Sequence, residues 1–267
     1  MERAMRMFET ARYEISRRVR GTMVLSVAIS LYAGFIVWYF TVLEGVSIED
    51  VFEELPPAMM EAFGIETLST IEGFLGAQIY NFVWLLGLGL YFAYVAGGIV
   101  AADIENDRMD LLLSFPISRS QLLVEKAASL LLPIVVVNVV VGCVIYLLAA
   151  SIGERIDVTH LALTHVLSVP YLLVCTAIGL VFSVAVDRAA IAERGAIGVV
   201  FALFLIESAV SGASEYEWIR YISPTHYYEP TPLLIDGSYE LIDTGILLVA
   251  FVGLVLLSQI LFYQRDI

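Results

Sequence analysis

Four polar side chains interrupt otherwise apolar runs: Gln78, Asn81, Asn138 and Glu207. A polar group held in lipid is costly, so such residues usually face the interior of a helix bundle, where they can line a path for a solute. Each also has a plainer reading. Gln78 and Asn81 lie near the end of their run, where water reaches. Asn138 can hydrogen-bond across helices, and Glu207 can extend its carboxylate toward the surface.

Patterns for catalysis are missing. There is no GxxxxGK[ST] phosphate loop, no HExxH and no GxSxG, so the chain is not expected to bind ATP or to hydrolyse a substrate itself. His160 and His165 are five residues apart, which sets them on poorly matched faces of a helix, and His226 stands elsewhere. None has the ligand spacing of a zinc site, and no metal site is expected. The adjacent Met59 and Met60 point in different directions on a helix and read as packing. Cys143 and Cys175 sit inside apolar runs and behave as small apolar residues.

The elements that would position these groups are membrane helices. The sequence is 60% hydrophobic, with a mean hydropathy of +0.86, far from a soluble composition. A helix needs about 20 mostly apolar residues to cross the hydrocarbon core. Six segments meet that length: 22–43, 73–102, 127–153, 158–186, 195–214 and 244–264. The expected fold is all-α, a single six-span domain over 1–267. The first run is too long for a cleaved leader and reads as a span. Pro133 and Pro170 fall within the third and fourth spans, as tolerated breaks or as kinks.

Charge fixes an expected orientation. The chain has thirteen Arg and one Lys, and all of them except Arg155 and Arg220 fall on the side that holds both termini. That side is expected to be cytoplasmic, which makes this a multi-pass cell-membrane protein. The 44–72 loop carries eight acidic residues and no basic one. A net charge of −14 argues against nucleic-acid binding, and it suits high salt, where screening weakens self-repulsion. A halophilic source, an archaeon, is expected.

Residues 1–21 place Ala4, Phe8, Ala11, Ile15 and Val19 at helical steps among arginines, as in a helix lying among lipid headgroups. The 44–72 loop, with its Pro56-Pro57 pair, reads as one or two short surface helices. Around 214–243, Tyr216, Trp218, Tyr221, Tyr227, Tyr228 and Tyr239 suit an interface belt. Prolines there forbid a long helix.

The most charged stretch is 103–126, "DIENDRMDLLLSFPISRSQLLVEK". Pro116 can begin or break a helix, and Ser118 is suited to cap one over 119–126. Its order of Asp103 and Glu105, Asp110-Leu-Leu-Leu-Ser114, Pro116-Ile-Ser118-Arg119 and Glu125-Lys126 resembles the segment between the second and third spans of type-2 ABC transporter permeases. "ARYEISRRVRGT", "LPPAMMEAFGIETLSTIEGFLGAQIY", "ISPTHYYEPTPLLIDGSY" and the closing "YQRDI" resemble other parts of that family. Asp107 stands where the family usually has Gly, so a left-handed turn is harder to make there.

The resemblance implies a permease subunit, usually an exporter, that pairs with a second permease subunit, identical or not. It implies a separate ATPase subunit that binds the ATP and Mg, and no cofactor on this chain. Asp110, Pro116, Ser118, Arg119, Glu125 and Lys126 would form the segment that docks to the ATPase. The rival readings are a secondary transporter, which ordinarily needs several intramembrane carboxylates where only Glu207 qualifies, and an assembly or scaffold protein. The substrate is not legible in the sequence.

Overall fold

The first element among the described residues is a long helix, α1 (Glu9–Leu43). Gly21 and Gly34 weaken it, and each glycine costs a helix about 1 kcal/mol, too little to end it. The expected headgroup helix and first span are therefore continuous from residue 9. In the computed structural model the described residues are 9–43, 67–114, 117–210 and 217–265. Residues 44–66 of the 44–72 loop, where short surface helices are expected, lie outside these, Met59 and Met60 among them, as do Ala4, Phe8, Pro116 and Tyr216.

After α1 come α2 (Ile71–Glu105), two short helices α3 (Met109–Leu113) and α4 (Arg119–Ala128), then α5 (Leu131–Ser151), α6 (Val158–Ala185) and α7 (Ala189–Val210). Two 3-10 turns, Glu217–Ile222 and Pro224–Tyr227, lead to α8 (Pro230–Asp236) and α9 (Leu241–Tyr263). No strand occurs among the described residues. Six helices are long and apolar enough to cross a membrane, with α4 and α5 together forming the third. Pro133 occupies the first turn of α5, where its missing N–H would have had no partner anyway. Pro170 lies inside α6, which continues through it.

Helix α6 is the axis of the bundle. Its most apolar stretch is 72% buried, against 17% in both α7 and α9, so α7 and α9 present broad apolar faces outward. Small residues let α2 cross α6 closely, as is usual where helices pack in lipid. A Cβ built on Gly179 would meet the Ala93 carbonyl at 2.3 Å. At the same crossing the Ser183 hydroxyl oxygen accepts from the Val100 and Ala101 amides at 2.8 and 3.1 Å.

One stretch of α2, Gly76–Leu88, is wound as a π-helix. Such winding is rare and shifts the carbonyls out of their normal register. Backbone groups in lipid must find partners within the protein. The Tyr171 hydroxyl of α6 supplies one, donating to the Leu85 carbonyl at 2.6 Å.

The end of the bundle that carries 103–126 also gathers the described ends of the chain. Glu14 of α1 reaches Lys126 of α4, and Arg119 of α4 reaches the carbonyls of Phe262 and Arg265. The turns at 217–240 cover the opposite end.

Candidate functional site

At the 103–126 end, α2 stops in a tight reversal. The Asp107 amide donates to the Ile104 carbonyl at 3.1 Å, and the Arg108 amide to the Asp103 carbonyl at 2.8 Å. This paired closure requires a left-handed residue at its centre, and Asp107 adopts it with φ of 54°. The turn is thus made by aspartate, one of the few residues besides glycine that tolerate it.

Helix α4 then starts as its sequence dictates. Ser118 is extended, and its hydroxyl oxygen accepts from the Gln121 amide at 3.1 Å, satisfying one of the free donors of the first turn. The two faces of α4 differ sharply. Its inner face carries Lys126, 1% exposed, whose Nζ donates to Asp103 of α2 at 2.6 Å and to Glu14 of α1 at 3.2 Å. Arg108 pairs with Asp103 at 3.1 Å, and Arg18 with Glu14 at 3.6 Å. Burying an ammonium is tolerable only when carboxylates surround it in this way.

Arg119, on the adjoining side, donates to the Arg265 carbonyl at 2.6 Å and lies over the Phe262 ring. Arg265 in turn donates to the Val184 carbonyl at 2.6 Å and pairs with Asp187. Glu125 is buried and accepts from Gln121 at 2.8 Å. The outer side of the segment presents Ser118 and Ser120, together with Leu111 and Val124, which are 66% and 45% exposed. The backbone of Asp110 lies in α3.

Of the six residues that the resemblance assigned to docking, then, Lys126 and Arg119 are engaged with other helices, and Glu125 with Gln121 of its own helix. Ser118 stands at the surface. Glu14, which completes the lysine cage, gave no signal in the sequence beyond its four-residue spacing from Arg18.

In the middle of the bundle, Asn138 of α5 is the hub of a second polar group. Its Oδ1 accepts from Trp84 Nε1 at 3.2 Å and from the Ser168 hydroxyl at 2.8 Å, and it lies 3.0 Å from His165 Nδ1. Indole N–H is only a donor, so the amide oxygen must face Trp84. The amide nitrogen then donates to the Ile134 carbonyl at 2.9 Å. By the same logic His165 carries its proton on Nδ1, and its Nε2, 3.0 Å from the Tyr80 hydroxyl, accepts from it. The widened turns of α2 bring Tyr80 and Trp84 onto the imidazole, with ring centroids 5.6 and 5.1 Å from it. Gly142 makes room on the other side, since a Cβ there would meet His165 Cδ2 at 2.8 Å.

Asn138 and His165 form the polar floor of an apolar groove of about 710 Å³ between α5 and α6, flanked by Val139, Tyr146 and Val166. The other polar candidates lie apart from this group. Asn81 donates to the Thr231 hydroxyl of α8 at 3.3 Å, and Gln78 is half-buried on the same π-helical stretch. Glu207, in the last turn of α7, accepts from Arg220 Nε at 2.8 Å. A carboxylate neutralised by a guanidinium is poorly suited to carry a coupling ion. Among the described residues no group of three or more His, Cys, Asp or Glu side chains could hold a metal ion.

The geometry therefore provides two assemblies joined by helices: a charged clamp at one end and an uncharged hydrogen-bonded core in the apolar layer. The family model described as ABC-2 family transporter protein matches residues 13–267 of this chain. The chain is also similar to the uncharacterized protein YhcI of Bacillus subtilis (strain 168), with 26% identity over 205 residues. That match spans 67% of this chain and 64% of the relative's length.

Proposed function

The chain belongs to the ABC-2 transporter family, and from that premise we propose that it is the membrane-spanning subunit of an ATP-driven exporter. It carries no phosphate loop, so the ATP and Mg are bound and used by a separate ATPase subunit. That subunit docks from the cytoplasm on residues 103–126. Two permease subunits, identical or not, assemble within the lipid of the cell membrane, with both termini on the cytoplasmic side.

The observation that carries the reading is the division of labour across α4. Its outer side leaves Val124 exposed, as α3 leaves Leu111, and such apolar side chains suit a protein partner. Its inner side is tied to α1 and α2 through Lys126 and to the end of α9 through Arg119. A push on the outer side is thereby delivered to three spans at once, which is what a subunit without its own motor requires.

Co-purification tests this. The chain is co-expressed with an ABC-type ATPase of the same organism, and the complex is captured through the ATPase. Leu111→Glu combined with Val124→Arg is expected to cut capture at least ten-fold while the permease stays monodisperse, because charged groups placed at the centre of an apolar contact cost several kcal/mol. Undiminished capture of that variant overturns the docking assignment.

A further inference from the structure

Between α1, α2 and α7, at the same end of the bundle as α4, lies an open cavity of about 340 Å³. Its charged end is formed by Glu14, Arg17 and Arg18 of α1 with Asp103 and Arg108 at the end of α2. Val95 and Ile99 line it further along α2. Val95 stands eight residues before Asp103, about 12 Å along a helix. The cavity therefore passes from charged groups to apolar helix, as a bilayer does between its headgroups and its acyl chains.

The charges around it do not cancel. Glu14 and Asp103 are already shared with Lys126, and Glu193 of α7, which also lines the cavity, is held by the Tyr94 hydroxyl. With Lys126 included, four cations meet three carboxylates, which leaves a positive surplus.

Two of the arginines are also poorly satisfied. Arg17 has no ion pair among the described residues. Arg18 meets Glu14 only at 3.6 Å, beyond hydrogen-bond length, and its Nε is buried without a hydrogen-bond partner. A guanidinium left so is costly unless a further acceptor reaches it. Phosphate oxygens match the guanidinium fork, and basic pockets between membrane helices at headgroup level select anionic lipids. A free anion would make no use of Val95 and Ile99, whereas a phospholipid uses both ends of the cavity.

We propose that this cavity binds one anionic phospholipid, its phosphate between Arg17, Arg18 and Arg108 and the first carbons of its chains against Val95 and Ile99. A lipid held there bridges α1 and α2 beside the Lys126 cage. The site needs only that the chain spans a bilayer, so it stands or falls separately from docking of an ATPase.

The test is native mass spectrometry of the full chain, delipidated in detergent and titrated with dioleoylphosphatidylglycerol, with dioleoylphosphatidylcholine or with inorganic phosphate. A single saturable adduct is expected with phosphatidylglycerol, roughly ten-fold tighter than with either of the others. Arg18→Gln should weaken it roughly ten-fold and Arg17→Gln several-fold. Arg20→Gln, which alters an exposed arginine of α1 outside the cavity, should leave it unchanged. Arg17 is itself exposed, so its substitution leaves the bundle intact and decides the matter should Arg18→Gln misfold. The proposal is overturned by no saturable adduct, by equal binding of the two lipids, or by inorganic phosphate binding as tightly as the lipid. Unchanged affinity in Arg17→Gln, or an equal loss in Arg20→Gln, overturns it as well.

Discussion

Asp107 shows how far a single position can be read. The sequence places an aspartate where the resemblance to type-2 permeases implies a glycine, which predicts a backbone that resists the left-handed turn. The turn is made all the same, at φ of 54°, because two amide bonds close around it. The side chain bears the conformational cost, about 1–2 kcal/mol for a residue with a Cβ, somewhat less for aspartate. Its charge also sits at the negative end of the α2 dipole. Asp107→Gly should therefore stabilise the chain by about 1 kcal/mol, and Asp107→Val should destabilise it by a similar amount. Thermal unfolding in detergent measures both, and a lower midpoint for the glycine variant would contradict the account. Lys126 carries the opposite lesson. Beside Arg119 and Glu125 it reads as part of the docking segment, and only the approach of Glu14 and Asp103, from distant parts of the chain, turns it into a buried charge.

Among the elements, the six membrane helices were legible because length and hydropathy alone define them. The start of α4 was legible from Ser118, since capping is a local property. The core built by α2, α5 and α6 was not. Asn138 signalled itself as a polar residue among valines, whereas Tyr80 and Trp84 have aromatic bodies that fit an apolar run, and His165 reads equally as an interfacial or as a packed polar residue. Their association joins positions up to 85 residues apart and depends on π-helical winding that no local pattern announces. Asn138→Leu tests what this core contributes. It removes the acceptor shared by Trp84, Ser168 and His165 and leaves their donors buried without it. Hydrogen bonds between membrane helices average about 0.6 kcal/mol each, and stranded donors add to that. The variant should lose roughly 2–3 kcal/mol of stability in detergent unfolding, while still being captured by the ATPase. An unfolding midpoint equal to wild type would show that the core is not a source of stability.

On the scale of the whole molecule, orientation and assembly rest on different evidence from the fold. The distribution of arginine argues for cytoplasmic termini, and the structure adds that Glu14, Lys126, Arg119 and Arg265 meet at one end. The broad outward faces of α7 and α9 are available to lipid and to a second permease subunit. The buried lysine has one more consequence, and it is a practical one. Lys126 is the sole lysine of the chain and is 1% exposed, so acylating reagents find no lysine amine on the resting surface. Any motion that parts α4 from α1 and α2 uncovers a single chemical handle. Mass spectrometry after a brief pulse of an N-hydroxysuccinimide ester should find Lys126 almost unmodified at rest. Acylation should increase in Glu14→Gln, where the cage is weakened, and so report opening of the clamp at one atom without an introduced probe.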